Sequence, residues 1–210
     1  MIKTQKRFRF KNPHYFSVKT YEIKKLDKNL TLFLPHFSKR IPFKNSIVAQ
    51  KRRNLICKNR TANPYQYFKN KALKKYVILG IGGNLEKCAG DCIMRFWQLL
   101  RCLKNKNVII LASAILKNPA FGYTKQPDFY NMIVWLKTRL GFSDFWSYCA
   151  YLERIFKRDR KRPFKNAPRT LDLDIIGFKN KRISLKHFKI PHIAWEERNS
   201  VRIPLFWSKG

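Results

Sequence analysis

After residue 75 the apolar residues of this chain switch between a period of two and a period near four in a fixed order, which constrains the fold more than any other feature. Tyr76 to Ile81 is an apolar run ending in Gly82-Gly83-Asn84, and so reads as a strand entering a tight turn. Ala89, Cys92, Ile93, Phe96, Leu100 and Leu103 recur at helical spacing, which predicts an amphipathic helix over Lys87 to Lys104. Val108 to Leu116 and Phe129 to Lys137 predict two more strands, separated by a turn-rich stretch from Lys117 to Asp128. Phe145, Tyr148, Cys149, Leu152, Ile155 and Phe156 give a second helix. A basic, proline-containing loop from Arg158 to Pro168 then leads into a fourth strand, Thr170 to Phe178. The order β-α-β-β-α-β is that of the ferredoxin-like split unit, an α+β sandwich of one sheet and its helices.

Residues 1–75 follow no such pattern and are expected to form a basic N-terminal extension to a domain over 76–210. The extension holds 21 Lys and Arg against only Glu22 and Asp27. One hairpin is expected within it, with strands Tyr15 to Ile23 and Leu30 to Leu34 around Asp27-Lys28-Asn29. The whole chain carries 46 Lys and Arg against 12 Asp and Glu, a net charge of +34, which attracts phosphate-rich partners but names no reaction. The extension is the natural place for non-specific binding to polyanions. A mitochondrial transit segment fits it less well, because it is long and rich in Phe and Tyr. No stretch approaches the roughly 20 apolar residues of a membrane span, and the basic start lacks the apolar core of a secretory signal. The expectation is a cytoplasmic monomer. Five cysteines, Cys57, Cys88, Cys92, Cys102 and Cys149, lack paired CxxC spacing and read as reduced thiols.

Chemistry concentrates in Leu171-Asp172-Leu173-Asp174-Ile175. Alternation along a strand puts both carboxylates on one face and the three aliphatics on the other. Hard divalent cations such as magnesium take oxygen ligands and keep substrate phosphates, so two close carboxylates suit a metal–nucleotide site. A solvated acidic strand face is the alternative. Arg169 lies three residues before Asp172, and Arg158 and Arg160 lie on the loop upstream, so guanidinium groups that grip phosphate converge on the same segment. Gly80-x-Gly82-Gly83 matches neither the Walker A pattern nor the dinucleotide fingerprint, and the chain has no GK[ST]. Any nucleotide site here is not a P-loop.

Lys165-Asn166-Ala167-Pro168-Arg169-Thr170-Leu171-Asp172-Leu173-Asp174-Ile175-Ile176 resembles, at every position, the signature of the 6-hydroxymethyl-7,8-dihydropterin pyrophosphokinases of folate biosynthesis. Supporting matches follow in order: Gly82-Gly83-Asn84-Leu85, Gln126-Pro127-Asp128-Phe129-Tyr130-Asn131, Glu153 before Arg158-x-Arg160, Pro191-His192, Arg198 and Pro204-Leu205. The resemblance covers about 76–207. It implies transfer of a pyrophosphoryl group from ATP to hydroxymethyl dihydropterin, with two magnesium ions on Asp172 and Asp174 and with Arg158 and Arg169 as catalytic cations. Glu153, Arg160, His192 and Arg198 would lie along ATP. Asn131 would read the pterin edge, Phe129 would stack on its ring, and Asn118 and Phe121 would supply backbone contacts. The family usually has Tyr at Phe129, Thr at Asn118 and an aromatic at Ser200; the last change removes one flank of the pterin.

A rival class is RNA binding, because the ferredoxin-like sheet shares its topology with the RNA-recognition fold. Against it, no segment matches the aromatic RNP pattern, and Asp172 and Asp174 would repel a phosphate backbone. For residues 1–75 the same idea remains open. The loops at Lys117 to Asp128 and Lys157 to Pro168 are long, polar and close to the acidic strand, as lids over an activated phosphate would be.

Overall fold

The computed structural model describes residues 18–37, 75–85, 89–159, 161, 164, 166–186, 188–193, 195 and 197–206. Among these, two N-terminal strands, β1 (Val18–Asp27) and β2 (Leu30–Phe37), precede β3 (Val77–Gly83), α1 (Ala89–Lys104), β4 (Asn107–Ala112) and β5 (Ile115–Asn118). Then follow β6 (Phe129–Thr138), α2 (Phe142–Ile155), β7 (Asp172–Phe178), a small hairpin of β8 (Ile183–Leu185) and β9 (Phe188–Ile190), and α3 (Asn199–Phe206). The described residues form a mixed α+β arrangement with three helices and a seven-stranded sheet ordered β1-β2-β5-β6-β3-β7, in which β4 also pairs with β6. Every strand pairing is antiparallel.

Alternation sorts the side chains of this sheet into two cores. Val77, Leu79 and Ile81 of β3, Met132, Val134 and Leu136 of β6, and Leu173 and Ile175 of β7 pack on one face. That face is closed by Phe96, Leu99 and Leu103 of α1 and by Phe145, Cys149 and Leu152 of α2. The helical spacing read from the sequence thus marks most of the residues that bury, but Ile155 at the end of α2 is 50% exposed and Phe156 lies beyond the helix. On the opposite face Ile78, Ile133, Trp135 and Ile176 pack against Trp195 and against Val201 and Leu205 of α3. Helix α3 covers only part of that face, and the uncovered part forms the pocket described below.

Several boundaries differ from expectation, each for a local reason. The single strand expected over Val108 to Leu116 is broken at Ser113-Ala114. There the Ser113 hydroxyl accepts the Ile133 N–H at 2.9 Å and donates to the Ala114 carbonyl at 2.7 Å, substituting for a ladder bond and dividing the strand into β4 and β5. The fourth strand starts at Asp172 rather than Thr170, because the Arg169 carbonyl instead accepts the N–H groups of Asn84 and Leu85 at 3.0 and 3.1 Å. Helix α1 is described from Ala89, so Lys87 and Cys88 lie outside the described residues, as does Cys57. Cys92, Cys102 and Cys149 form no disulfide among the described residues. The final helix was not expected, since Pro204 sits inside it and proline argues against a helix interior.

The expected N-terminal hairpin is present as β1 and β2, and it extends the main sheet. Leu32 is opposite Leu116 and Phe33 opposite Ile115 across β2 and β5, and both Leu32 and Phe33 are buried. Phe33 belongs to the helix-side core. Tyr15 and Phe16 lie outside the described residues. No helix among the described residues is long and apolar enough to cross a membrane.

Candidate functional site

Glycine opens the site. Gly80 and Gly82 of β3 point to the face that α3 only partly covers, between Ile133 and Asn131 of β6 and Asp174 and Asp172 of β7. A Cβ at Gly82 would stand 2.9 Å from the Asn131 side-chain oxygen, so the missing side chain lets the amide lie across the strand. The resulting pocket has a volume of about 110 Å³ and is lined by Asn118, Phe121, Phe129, Asn131, Arg169, Asp172, Asp174, Arg198 and Ser200, among others. Nine residues singled out from sequence, spread over 83 positions, therefore converge on one cavity.

The acidic end is held by arginines. Asp172 accepts from Arg158 Nη1 at 2.8 Å through one oxygen and from Arg169 Nη1 at 2.6 Å through the other. Glu153, on the last turns of α2, is buried; its Oε1 accepts the Leu173 N–H at 2.9 Å and pairs with Arg158. A carboxylate buried there is tolerable because it is paired and hydrogen-bonded on both sides, and it fixes Arg158 against β7. Burial and then the neighbouring Asp172 push the Asp174 carboxyl up to about 7, against the opposing pull of Arg198, Arg158 and Arg169. His192 donates its backbone N–H to the Ile176 carbonyl at 3.0 Å, and burial, aided by Arg198, lowers its imidazole below the ordinary value. Arg160 lies outside the described residues.

Two features of this end suit a polyanion with a metal. The Nε atoms of Arg158, Arg169 and Arg198 are buried without a hydrogen-bond partner, although buried donors are normally satisfied. Asp172 and Asp174 present two hard oxygen donors on one strand face. Among the described residues no three His, Cys, Asp or Glu side chains cluster as a metal cage. Magnesium fits such a place, since it is commonly held by one or two carboxylates with substrate phosphates and water completing its shell.

The other end is flat and amide-lined. Asn131 donates its amide N–H to the Asn118 side-chain oxygen at 2.7 Å, and Asn118 donates to the Pro119 carbonyl at 2.7 Å. The Phe129 ring carries the Arg169 guanidinium at 5.6 Å, and the Phe121 ring carries that of Arg198 at 5.3 Å. Phe121 is 73% exposed, an open ring at the cavity mouth. The sequence marks Asn84 as part of a turn and of the Gly82-Gly83-Asn84-Leu85 match but gives it no role of its own, yet its buried side chain ties three segments together. It accepts the Arg169 N–H at 2.9 Å and donates to Gln126 Oε1 and to the Pro127 carbonyl, each at 2.9 Å. An asparagine directly after Gly-Gly was the available signal, without periodicity to raise it above a turn.

Comparison with known proteins gives the family. Residues 78–208 match the family model described as 7,8-dihydro-6-hydroxymethylpterin-pyrophosphokinase. The chain is 46% identical over 134 residues to the 2-amino-4-hydroxy-6-hydroxymethyldihydropteridine pyrophosphokinase of Helicobacter pylori, covering 61% of this chain and 78% of that protein. It is 37% identical over 137 residues to the enzyme of the same name from Campylobacter jejuni, covering 64% and 83%. The match to the mitochondrial folate synthesis bifunctional protein of Arabidopsis thaliana is 32% over 130 residues, covering 61% of this chain and 22% of that protein. The chain belongs to the 7,8-dihydro-6-hydroxymethylpterin-pyrophosphokinase family.

Proposed function

We propose that this chain transfers the pyrophosphoryl group of ATP to the hydroxymethyl group of 6-hydroxymethyl-7,8-dihydropterin, with Asp172 and Asp174 as the residues that hold two magnesium ions. The observation that carries the reading is the set of three buried arginine Nε atoms without protein partners beside two carboxylates, in the same cavity as Phe129 and Asn131. In the reaction the hydroxymethyl oxygen bonds to the β-phosphorus and the hydroxyl proton passes to water. The bond from the β-phosphorus to the oxygen it shares with the α-phosphorus breaks, and AMP leaves with that electron pair.

The chain's own residues position and stabilise. Arg158 and Arg169 present guanidinium groups to the transferred phosphates, where bidentate donors stabilise charge as it develops. Arg198 and His192 attend the nucleotide, and Arg160 and Glu153 are assigned there by resemblance; the burial of Glu153 supports a role in orienting Arg158. The Asn131 amide reads the acceptor's edge, with Asn118 holding its orientation. Phe129 stacks on the acceptor ring, and Phe121 supplies the flank that Ser200 lacks. Magnesium, when bound, neutralises phosphate charge and aligns the chain of phosphates. No side-chain nucleophile is required, as positioning and electrostatics supply most of the acceleration in phosphoryl transfer.

The sheet order β7-β3-β6 followed by β4 and β5, with α1 and α2 on one face, supports a ferredoxin-like reading of the domain over 76–210. Residues 1–75 then join a sheet-edge hairpin to a basic arm suited to polyanions, and the protein acts as a cytoplasmic monomer. Titration calorimetry with a non-hydrolysable ATP analogue tests the site: binding should depend on magnesium in the wild type, and Asp172→Asn or Asp174→Asn should remove that dependence. Magnesium dependence unchanged in both variants would refute the metal assignment.

A further inference from the structure

The hairpin of β1 and β2 lies outside the segment that matches the family model, which begins at residue 78, and the proposed chemistry leaves it without a part. The register of the sheet nevertheless puts it in line with the cavity. Leu32 of β2 stands opposite Leu116 of β5, Leu116 opposite Asn131 of β6, Asn131 opposite Gly82 of β3, and Gly82 opposite Asp172 of β7. One row across five strands thus joins the hairpin to the amide at the acceptor end and to a carboxylate of the acidic end. Residues directly opposite one another share a face, so Leu32 and Leu116 lie on the side of the sheet that carries the pocket.

Strand β5 depends on this neighbour. It is only four residues long, and the break at Ser113-Ala114 separates it from β4. Its last residue is Asn118, whose side-chain oxygen accepts from the Asn131 amide at 2.7 Å. Without β2 it would be an edge strand, paired with β6 alone. The hairpin grips it on both faces. On the pocket face Leu32 packs with Leu116 and Ala114, joined by the partly buried Leu26, Leu30 and Ile203. Ile203 belongs to α3, which brings Ser200 and Val201 to the cavity wall. On the other face Phe33 is buried, and its ring lies 5.9 Å from that of Tyr130, the residue between Phe129 and Asn131.

We propose that the N-terminal hairpin positions the acceptor end of the cavity, with Leu32 and Phe33 as positioning residues. The hairpin holds β5 and α3 against β6, and Asn118 then keeps the Asn131 amide aimed at the edge of the acceptor ring. Close-packed side chains pass small displacements on rather than absorbing them, and a hydrogen bond weakens steeply as its angle departs from linear. Arg158, Arg169 and the two carboxylates stand on β7 and the segment before it, so the effect falls on the acceptor and spares the nucleotide. The proposal rests on the reading of Asn118 and Asn131 as the acceptor end.

The test uses the full chain with Leu32→Ala, Leu32→Val, Ile203→Ala and, as a control, Leu103→Ala, which truncates a fully buried leucine of α1. Titration calorimetry is run at a temperature where circular dichroism shows each variant folded. It measures the Kd of a non-hydrolysable ATP analogue with magnesium, then that of the pterin with the analogue saturating. Leu32→Ala should raise the pterin Kd about fivefold or more and change the analogue Kd less than about twofold. Leu32→Val and Ile203→Ala should each raise the pterin Kd about threefold, which decides the matter even where Leu32→Ala does not fold. Leu103→Ala should melt lower yet bind both ligands as wild type does. In an Asn131→Ala background Leu32→Val should cost almost nothing further, because a positioning residue has no effect once its target is gone. Pterin affinity within about twofold of wild type in all folded Leu32 and Ile203 variants, equal losses for pterin and analogue, or a matching pterin loss in Leu103→Ala would overturn the hairpin's role and leave the acceptor reading standing. Wild-type pterin affinity in Asn131→Ala would overturn the acceptor reading itself, and the hairpin's role with it.

Discussion

Asp172 and Asp174 do different work within one alternating segment. Asp172 is engaged by Arg158 and Arg169 through its two oxygens, whereas Asp174 is pushed up to about 7 by burial and by Asp172. Asp172→Ala and Asp174→Ala should each retain less than about a tenth of wild-type turnover, since each removes a group assigned to the metal. Circular dichroism should show both folded. Arg169→Ala should lower kcat far more than it raises KM for ATP, because stabilising developing charge is specific to the transition state. The raised Asp174 group also has a consequence for stability. A carboxyl whose folded value lies above its unfolded one favours the folded state when protonated, so its contribution is lost as pH rises from about 4 to about 7. Metal-free Asp174→Asn should therefore melt higher than metal-free wild type at pH 8, with the difference vanishing near pH 4. A wild type at least as stable as the variant at pH 8 would contradict that electrostatic account. This pair was legible in the sequence because alternation is local. Gly82 was not legible as a pocket floor, because what it makes room for, the Asn131 amide, lies on another strand.

Among the elements, those set by local periodicity were readable and those set by distant partners were not. Helices α1 and α2 bury most of the residues their spacing marks, Ile155 on the last turn of α2 being the exception. The break between β4 and β5 depends on the Ser113 hydroxyl meeting Ile133, twenty residues away, and α3 is hidden by Pro204. The hairpin of β1 and β2 was readable as a hairpin, but its docking on β5 was not, because the two partners are separated by about 80 residues of chain. That docking bears on whether the first 75 residues are dispensable. Leu32→Ala should destabilise the protein by about 2–5 kcal/mol in urea unfolding, the usual cost of truncating a fully buried leucine. A chain beginning at residue 75 should be less stable still, since it loses Leu32 and Phe33 and leaves β5 without its outer partner. Equal stability of the shortened and full chains would show that the hairpin adds nothing to the core.

At the scale of the whole molecule, one sheet separates two tasks. Its helix-side face carries most of the core, and its other face carries the glycines, carboxylates and arginines of the cavity, so chemistry is not traded against packing at the same positions. The net charge of +34 would help collect a triphosphate, yet the cations nearest the two carboxylates are a few half-buried arginines rather than the surface excess. What distinguishes this reaction is the bond of ATP that is broken. The decisive measurement is product analysis after incubating the purified full chain with ATP, magnesium and 6-hydroxymethyl-7,8-dihydropterin. The account predicts AMP and pterin diphosphate in equal amounts, with neither formed when magnesium or the pterin is omitted. Release of ADP with a pterin monophosphate, or no pterin-dependent AMP at all, would contradict it.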